Sequence, residues 1–272
     1  MKIKFWKMHG ARNDFILIDD REKFFPAHDS AFIRDLCARR SGIGADGLVL
    51  IQPSARAAFF MRFYNPDGGE AGMCGNGARC VARLAYELGI AGAQMKFETA
   101  AGLIDAEVAA GAVHIGLTDP CDWILSESLE IDGDELTFGF VNTGVPHVVV
   151  RTAHVRDINI RAAGAAIRQH RRFAPVGTNV NFIELLAGGA LAVRTYERGV
   201  EDETLACGTG IAASALIAAK NGWVSLPVNI HTAGGDVLSV NAELTAADTR
   251  GVSLTGPAEH VYEGIIQYKE RS

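Results

Sequence analysis

The chain has 272 residues, of which 48% are hydrophobic and 21% are charged, and it carries a formal net charge of -6. This length and composition indicate a globular protein large enough for two domains of ordinary size. A mildly acidic chain without a run of lysine and arginine offers no basic surface to nucleic acids or anionic membranes, and no segment is long enough to span a bilayer. We therefore expect no nucleic-acid or membrane partner and a cytoplasmic location.

Predicted strands and helices alternate along the chain. In the first half, strand-like alternation covers 1–7, 58–64, 96–99 and 104–108, and apolar periodicity predicts helices at 31–39 and between Gly77 and Gly89. In the second half, strands are predicted at 148–150, 190–196, 228–232, 237–241 and 261–268, and helices at 159–168 and from Ile211 to Asn221-Gly222. Gly89 and Gly222 stand where a helix needs a left-handed residue to end.

The two halves of the chain repeat one another. Cys74-Gly75-Asn76-Gly77 reappears as Cys207-Gly208-Thr209-Gly210, and the same offset relates Glu70 to Glu203, Gly89 to Gly222, and Thr99-Ala100 to Thr232-Ala233. A single pair of this kind arises by chance, but several pairs in the same order indicate duplication of one structural unit.

The duplication predicts an α/β fold of two pseudo-symmetric domains, each an antiparallel, strand-rich sheet wrapped around a central helix. The first domain covers 1–117 and carries Cys74, and a C-terminal strand within 261–272 returns to it. The second domain covers 118–260 and carries Cys207. Each half is long enough to bury a core of its own.

The number and spacing of the cysteines argue against two of the roles that cysteines can have, disulfide bonding and zinc binding. The chain has five of them: Cys37, Cys74, Cys80, Cys121 and Cys207. An odd number in a chain of this size argues against a disulfide framework, and there is no CxxC pair or Cys/His cluster with zinc spacing. We therefore expect no metal site, and the cysteines are either buried apolar residues or reactive thiols. Cys37, Cys80 and Cys121 are assigned to packing.

Cys74 and Cys207 each directly precede a glycine-rich helix start. The positive end of a helix dipole stabilises a thiolate, and the first amides of the helix can bind a carboxylate. Two such units provide two acid–base groups and an anion site, which is what inversion of an amino-acid α-carbon requires. No pyridoxal lysine motif is evident, so we expect no cofactor.

Two less specific interpretations compete with this one. A lone cysteine at a glycine-rich turn is more often structural, but the matched pair favours function. A phosphate or dinucleotide loop is the other alternative. Gly75-Asn76-Gly77 lacks the third glycine of that motif, and Gly42-Ile43-Gly44 is not followed by a predicted helix.

Several motifs resemble those of the diaminopimelate epimerase family, and together they extend over essentially the whole chain. The most specific is the stretch from Met73 to Cys80, followed by the second cysteine motif from Glu203 to Gly210. The others, in family order, are Met8-His9-Gly10, Asn13-Asp14-Phe15, Gly42-Ile43-Gly44-Ala45-Asp46-Gly47, Gly144-Val145-Pro146-His147, Asn179-Val180-Asn181-Phe182 and Tyr196-Glu197-Arg198-Gly199.

The resemblance implies a cofactor-independent epimerase that interconverts LL- and meso-2,6-diaminoheptanedioate for lysine and peptidoglycan synthesis, and that forms a homodimer. It implies that Cys74 and Cys207 are the two acid–base residues, assisted by His147 and Glu197. Backbone amides would hold the reacting carboxylate, at Gly75, Asn76, Gly208 and Thr209. Side chains would hold the amino groups and the distal carboxylate, at Asn13, Asn65, Asn179, Glu197 and Arg198.

Two alternatives of different kinds remain open. One is a proline or hydroxyproline racemase of the same fold, against which Asn76 argues, because that family usually has His there. The other is a non-catalytic amino-acid-binding protein, against which the two intact cysteines argue. His147, Arg198 and the asparagines each have a plain structural interpretation as well. The sequence departs from many family members at Val145, where Asn is common, and at Gly47, where Gln is common.

Overall fold

The structure is a computed structural model that describes residues 1–109, 111–245 and 248–269. It divides into two compact units. The first consists of Met1–Ile115 and the C-terminal segment that begins at Gly256, and the second is Gly116–Thr255. Within the described ranges, no helix has both the length and the apolar character needed to cross a membrane.

The first unit contains nine strands and two helices among its described residues. The strands are β1 (Lys2–Gly10), β2 (Asn13–Asp19), β3 (Gly47–Gln52), β4 (Phe60–Tyr64), β5 (Glu70–Ala71), β6 (Gln94–Thr99), β7 (Gly102–Ala109), β8 (Ala112–Gly116) and β18 (Glu259–Gln267), and the helices are α1 (Ser30–Cys37) and α2 (Gly75–Glu87). The strands pair in the order β18–β1–β2–β3–β4–β6–β7–β8, with β5 added to β4. The β2–β3 and β4–β6 pairs are parallel.

The second unit has the same order of pairings. Its strands are β9 (Cys121–Ile131), β10 (Asp134–Asn142), β11 (Pro146–Arg151), β12 (Asn179–Leu185), β13 (Leu191–Glu197), β14 (Asp202–Thr204), β15 (Val228–Thr232), β16 (Val237–Leu244) and β17 (Thr249–Gly256), and its helices are α3 (Ile160–Arg168) and α4 (Gly208–Lys220). The order is β9–β10–β11–β12–β13–β15–β16–β17, with β14 added to β13. The β11–β12 and β13–β15 pairs are parallel.

The predicted α/β class is confirmed, but each sheet is mixed rather than uniformly antiparallel. Parallel neighbours need a crossover that returns the chain to the same end of the sheet. Helices supply these crossovers, since α1 lies between β2 and β3 and α2 lies between β4 and β6, and α3 and α4 occupy the same places in the second unit. The sequence pattern predicted the helices without indicating the strand direction that they impose.

The central helices α2 and α4 begin at the cysteine motifs and end at the predicted glycines. Gly89 has φ +68 and Gly222 has φ +71, a left-handed conformation that costs glycine little and other residues more. The amides of these glycines donate to Tyr86 O and Ala219 O, each at 3.0 Å. Both helix ends therefore confirm the prediction from sequence.

Strands β9 and β10 were absent from the sequence prediction. Most side chains of β9 are exposed or half-buried, so the strand lacks the apolar alternation by which a half-buried strand is identified. A turn signal was available, because Asp132-Gly133 joins the two strands with φ values of +53 and +91, as a two-residue hairpin turn requires. The assignment of Cys121 to packing is wrong, since it is exposed at the start of β9.

The C-terminal strand pairs with β1 throughout its length, from Lys2 opposite Gln267 to His9 opposite Glu259. It begins slightly earlier than the predicted range, at Glu259. Residues 270–272, the last part of the segment predicted to return to the first domain, lie outside the described residues.

We expect Gly164→Ala to destabilise the second unit. A Cβ at Gly164, in α3, would lie 2.4 Å from Tyr196 Cβ and 2.5 Å from Tyr196 Cγ on β13. Such overpacking costs about 1–3 kcal/mol, more than the gain in helix propensity of up to about 1 kcal/mol from alanine. Urea unfolding should show a lower midpoint. Gly92→Ala is the matched control, because its Cβ would meet only Gln94 O at 3.7 Å. Equal midpoints for the two variants would contradict this account.

Candidate active site

Cys74 occupies the residue before α2, and strand pairing holds it there. Its carbonyl accepts the first helical hydrogen bond, from Ala78 N at 2.7 Å. The preceding strand β5 is paired with β4, and Arg62 on β4 donates to Glu70 on β5 at 2.7 Å. The loop that carries the sulfur is therefore tied to the sheet four residues upstream.

Cys207 is held in the same way before α4. Ile211 N donates to the Cys207 carbonyl at 2.9 Å. Arg194 on β13 donates to Glu203 on β14 through two nitrogens, each at 2.7 Å. The glutamate that the repeat matches in the two halves therefore forms an ion pair with an arginine in each unit, and both pairs fix a cysteine loop.

These positions favour ionised sulfur and bound carboxylate. The first amides of an α-helix have no acceptor within the helix, and the dipole is positive there. A Cβ at Gly75 would meet only Ile115 Cδ1, at 3.7 Å, so packing within the unit does not by itself require glycine at this position. Glycine at position 75 would instead allow a carboxylate to approach the backbone closely, which fits the predicted role of Gly75 in binding the substrate.

In the first unit, two predicted substrate residues lie beside Cys74. Asn13 Oδ1 accepts from the Cys74 thiol at 3.7 Å and from Asn76 Nδ2 at 3.1 Å. Asn76 Oδ1 in turn accepts from Arg79 at 2.8 Å, and Asn13 Nδ2 donates to Asp46 at 2.9 Å. Both carboxamides therefore have a fixed orientation, with the oxygen of Asn13 directed at the sulfur.

A cluster of charged side chains lies next to Asn13, on the side of Asp46. Lys7 and Arg39 both donate to the Asp14 carboxylate, and Arg39 also donates to Asp46 at 2.6 Å. Lys7 is buried and donates to the Gly44 carbonyl as well. Burial by itself would raise the pKa of Asp14, but the hydrogen bonds from Arg39 and Lys7 outweigh it and lower that pKa to about 2.

In the second unit, a chain of hydrogen bonds leads from β12 to Cys207. Asn181 Nδ2 donates to Val148 O at 2.9 Å and lies 3.2 Å from His147 Nδ1. His147 Nε2 lies 2.9 Å from Thr209 Oγ1, which lies 3.5 Å from Cys207 Sγ. His147 is fully buried. Burial, with a smaller contribution from the positive charge of Arg198, lowers the pKa of His147 to about 3, so the ring is neutral.

The predicted distal-site residues of the second unit lie together at the ends of β12 and β13. Asn179 Oδ1 accepts from Arg198 N at 2.8 Å, and Asn179 Nδ2 donates to Pro146 O at 3.3 Å. Glu197 accepts from the Thr204 hydroxyl at 2.8 Å. Asn179 therefore binds two backbone atoms, and its hydrogen bond to Arg198 N fixes the backbone from which the Arg198 side chain extends. The role of these residues in substrate binding stays a prediction.

Asn65 and Gly47 belong to the first unit. Asn65 begins an exposed turn in which Gly68 N donates to Asn65 O at 3.0 Å, so the turn signal in the sequence is confirmed and its predicted substrate contact is not tested. A Cβ at Gly47 would lie 2.6 Å from Phe63 Cε2 and 2.8 Å from Tyr64 O. The residue that departs from the family pattern is therefore closely packed.

Several residues of these networks had no role in the sequence interpretation, among them Arg79, Asp46 and Asn181. Arg79 and Asn181 are fully buried, which polar residues tolerate only when they are hydrogen-bonded. A weak signal existed for Asn181, a polar residue between the apolar Val180 and Phe182. A Cβ at Gly210 would lie 2.3 Å from Asn181 Oδ1, which explains the last glycine of the second motif.

The remaining cysteines have surroundings unlike those of the two motifs. Cys37 and Cys80 are buried, and burial raises their pKa values to about 11 and about 12. Neither is a thiolate at neutral pH, which agrees with a role in packing. All five cysteines are free thiols. Within 1–109, 111–245 and 248–269, no group of three or more His, Cys, Asp and Glu side chains could hold a metal ion.

The low pKa of Asp14 predicts how acid affects stability. A carboxyl with pKa about 2 when folded and 3.8 when unfolded stabilises the fold above pH 4 and loses that contribution as the pH falls toward 2. After screening, the contribution is about 1–2 kcal/mol. We expect Asp14→Asn to have a lower urea midpoint than the parent protein at pH 7. The gap should shrink between pH 4 and pH 2, and a gap independent of pH would contradict the assignment.

Comparison with known proteins identifies one family. The family profile described as Diaminopimelate epimerase matches residues 5–118 and 139–261. The chain is similar to the diaminopimelate epimerase of Aquifex aeolicus (strain VF5), with 44% identity over 276 residues that cover 97% of this chain and 98% of that protein. The two matched segments include both cysteine motifs.

Solved structures of low sequence identity share the fold. A phenazine biosynthesis protein of the PhzF family from Bacillus anthracis aligns with a TM-score of 0.76 at 14% identity, covering 98% of this chain and all of that one. A probable proline racemase from Agrobacterium radiobacter aligns with a TM-score of 0.73 at 17% identity, covering 98% and 93%. At these identities the likeness concerns the fold alone.

Proposed function

Because this chain belongs to the diaminopimelate epimerase family, we propose that it inverts one α-carbon of LL-2,6-diaminoheptanedioate to give the meso isomer. The observation that carries the proposal is the pair of cysteines, Cys74 and Cys207, each placed directly before a buried helix. The substrate is an amino acid, and the chain is an isomerase. Its product serves lysine and peptidoglycan synthesis.

The proposed reaction uses two bases and no cofactor or metal. One cysteine thiolate takes the α-proton from one face of the carbon, and the thiol of the other cysteine delivers a proton to the opposite face. The electron pair left on the α-carbon is delocalised into the carboxylate, and amides of the two helix starts stabilise the charge that develops there. Epimerisation in the reverse direction exchanges the two roles.

Other residues have proposed supporting roles. The amides of Gly75 and Asn76, and of Gly208 and Thr209, bind the reacting carboxylate. Asn13, Asn65, Asn179, Glu197 and Arg198 bind the amino groups and the distal carboxylate. His147 is neutral and touches Thr209, which supports assistance through the threonine hydroxyl. Glu197 assists at the other end of the same loop, where it accepts from Thr204.

The proposal also includes the division into domains, the oligomeric state and the cellular location. The division into domains at 1–117 and 118–260, with the C-terminal strand in the first domain, is supported by compact units whose boundaries lie nearby. A homodimer and a cytoplasmic location follow from the family. The rival assignment as a proline or hydroxyproline racemase has only the shared fold in its favour, at 17% identity.

We expect the reduced, purified protein to exchange the α-proton of diaminopimelate with solvent without any added cofactor. The reason is that two thiols and two helix starts provide both proton transfer and charge stabilisation. Incubation in heavy water followed by mass spectrometry measures the exchange, with proline and lysine as comparison substrates. A requirement for pyridoxal phosphate, or loss of exchange after metal chelation, would contradict the proposal. Faster exchange of proline would favour the racemase alternative.

We expect Cys74→Ser and Cys207→Ser each to abolish net epimerisation but to leave one reactive face. A serine hydroxyl is far less acidic than a thiol, so it cannot serve as the base at neutral pH. The test uses both stereoisomers of an analogue with a leaving group on the carbon next to the α-carbon, because elimination needs only proton removal. The two variants should eliminate from opposite stereoisomers. Preference of both variants for the same stereoisomer would show that one cysteine is not a base.

A further inference from the structure

Arg198 differs from the arginines around it in having no carboxylate partner among the described residues. Three neighbouring arginines each form an ion pair with the loop and strand that follow β13: Arg161 with Asp202, Arg168 with Glu201 and Arg194 with Glu203. The guanidinium of Arg198 instead lies 3.4 Å from Val176 O and 3.5 Å from Gly177 O, near the upper limit of a hydrogen bond. A half-buried cation without a counter-ion favours an anion as its ligand.

Arg198 is the first residue of the loop between β13 and β14, and Glu201 closes that loop. Gly199 N donates to the Glu201 carboxylate at 3.0 Å, and Glu201 N donates to Glu197 O at 2.8 Å. Glu201 has φ +58, a left-handed conformation that a residue other than glycine keeps only where its contacts hold it. On the other side, Asn179 Oδ1 accepts from Arg198 N. The backbone is therefore fixed both at Arg198 and at the next residue.

The Glu201 carboxylate is also held from outside the loop. The Tyr196 hydroxyl on β13 donates to it at 3.2 Å, and Nε of Arg168, the last residue of α3, donates to it at 2.9 Å. The hydrogen bond from Gly199 N, together with those from Arg168 and Tyr196, lowers the pKa of Glu201. The side chains of the ion pair are 21% and 43% exposed, so the solvent screens their attraction and the pair mainly fixes geometry.

Arg168 also packs against one of the two carbonyl groups that Arg198 contacts. A Cβ at Gly177 would lie 2.1 Å from Arg168 Nη1 and 2.9 Å from Arg168 Cζ, so the guanidinium occupies the space that a side chain would need. Gly177 has φ +71, and its amide donates to Phe173 O at 2.8 Å. Arg168 therefore supports the loop that carries Arg198 and also the carbonyl beside which the Arg198 guanidinium lies.

We propose that Glu201 and Arg168 are positioning residues that hold Arg198 ready for the distal carboxylate of the substrate. The inference rests on the proposed function, in which Arg198 binds that carboxylate. Glu201 acts through the Gly199 amide, and Arg168 acts through Glu201 and Gly177. An arginine side chain and its loop lose conformational freedom when they bind a ligand, and a loop that is fixed beforehand loses less.

The first experiment measures the Kd of diaminopimelate by calorimetry in the full-length, reduced Cys74→Ser background, so that binding is measured without net epimerisation. We expect Glu201→Ala to raise this Kd roughly three- to tenfold, because the loop must then be ordered during binding. Arg168→Met should act in the same direction. Glu201→Gln keeps an oxygen that can accept from Gly199 N and should recover part of the affinity.

Asp202→Ala is the matched control, because it removes the same charge from the next residue. Asp202 pairs with Arg161, whose side chain is 77% exposed, and accepts from Glu203 N rather than from Gly199 N. We expect its Kd to change by less than about twofold. Equal effects of Asp202→Ala and Glu201→Ala would overturn the proposal, as would an unchanged Kd in Glu201→Ala. A background protein that does not bind diaminopimelate would contradict the proposed function instead.

A double-mutant cycle tests whether Glu201 acts through Arg198. Arg198→Met removes the guanidinium and keeps most of the side-chain stem. If Glu201 only positions that guanidinium, Glu201→Ala should raise the Kd in the parent background and leave it unchanged in the Arg198→Met background. A loss that is the same in both backgrounds would show that Glu201 supports the fold or the site in another way, and would overturn its role toward Arg198.

Limited digestion with trypsin tests the position of Arg198 without any ligand. Trypsin cleaves after arginine, so cleavage of the Arg198–Gly199 bond, followed by peptide mass mapping, reports how often this loop opens. We expect Glu201→Ala and Arg168→Met to speed cleavage at this bond and Asp202→Ala to leave it unchanged. Faster cleavage at all arginines would indicate general unfolding and would overturn the specific role, and so would an unchanged rate at Arg198 in Glu201→Ala.

Discussion

The beginning of a helix at a cysteine is the constraint on which the rest of the structure depends. Each cysteine carbonyl accepts the first hydrogen bond of a helix, so the sulfur lies at the positive end of the dipole and the following glycine amides point the same way. The partly exposed arginine–glutamate pair upstream and the left-handed glycine at the far end fix the position and length of that helix. Thiol chemistry and anion binding therefore follow from one backbone arrangement.

Much of this arrangement could be predicted from the sequence, because its causes are local. Gly89 and Gly222 end helices for a backbone reason that acts at one residue, and the periodicity of the apolar residues before them is a short-range pattern. The match of Glu70 with Glu203 was visible as a repeat. Their ion pairs with Arg62 and Arg194 required only that two adjacent strands be antiparallel.

The parts that could not be predicted depend on contacts between distant segments. Asp46 holds Asn13 across a parallel strand pair, and Asn181 reaches His147 on the neighbouring strand β11. A single sequence offers no means of pairing such residues. Strand β9 was missed for a different reason, since nearly all its side chains are exposed or half-buried and only the Asp132-Gly133 turn marks the hairpin that it forms with β10. The predicted packing role failed for Cys121 because that cysteine begins one of these strands.

Duplication explains why the two helix starts share a backbone arrangement, and divergence at one position gives the two sulfurs different neighbouring side chains. Asn76 and Thr209 occupy the same place in the two motifs, two residues after the cysteine. Asn76 does not face its sulfur directly but holds Asn13, whose oxygen does. The Thr209 hydroxyl lies 3.5 Å from its sulfur and 2.9 Å from His147 Nε2. The same helix start thus has a carboxamide beside the sulfur in one unit and a hydroxyl beside it in the other.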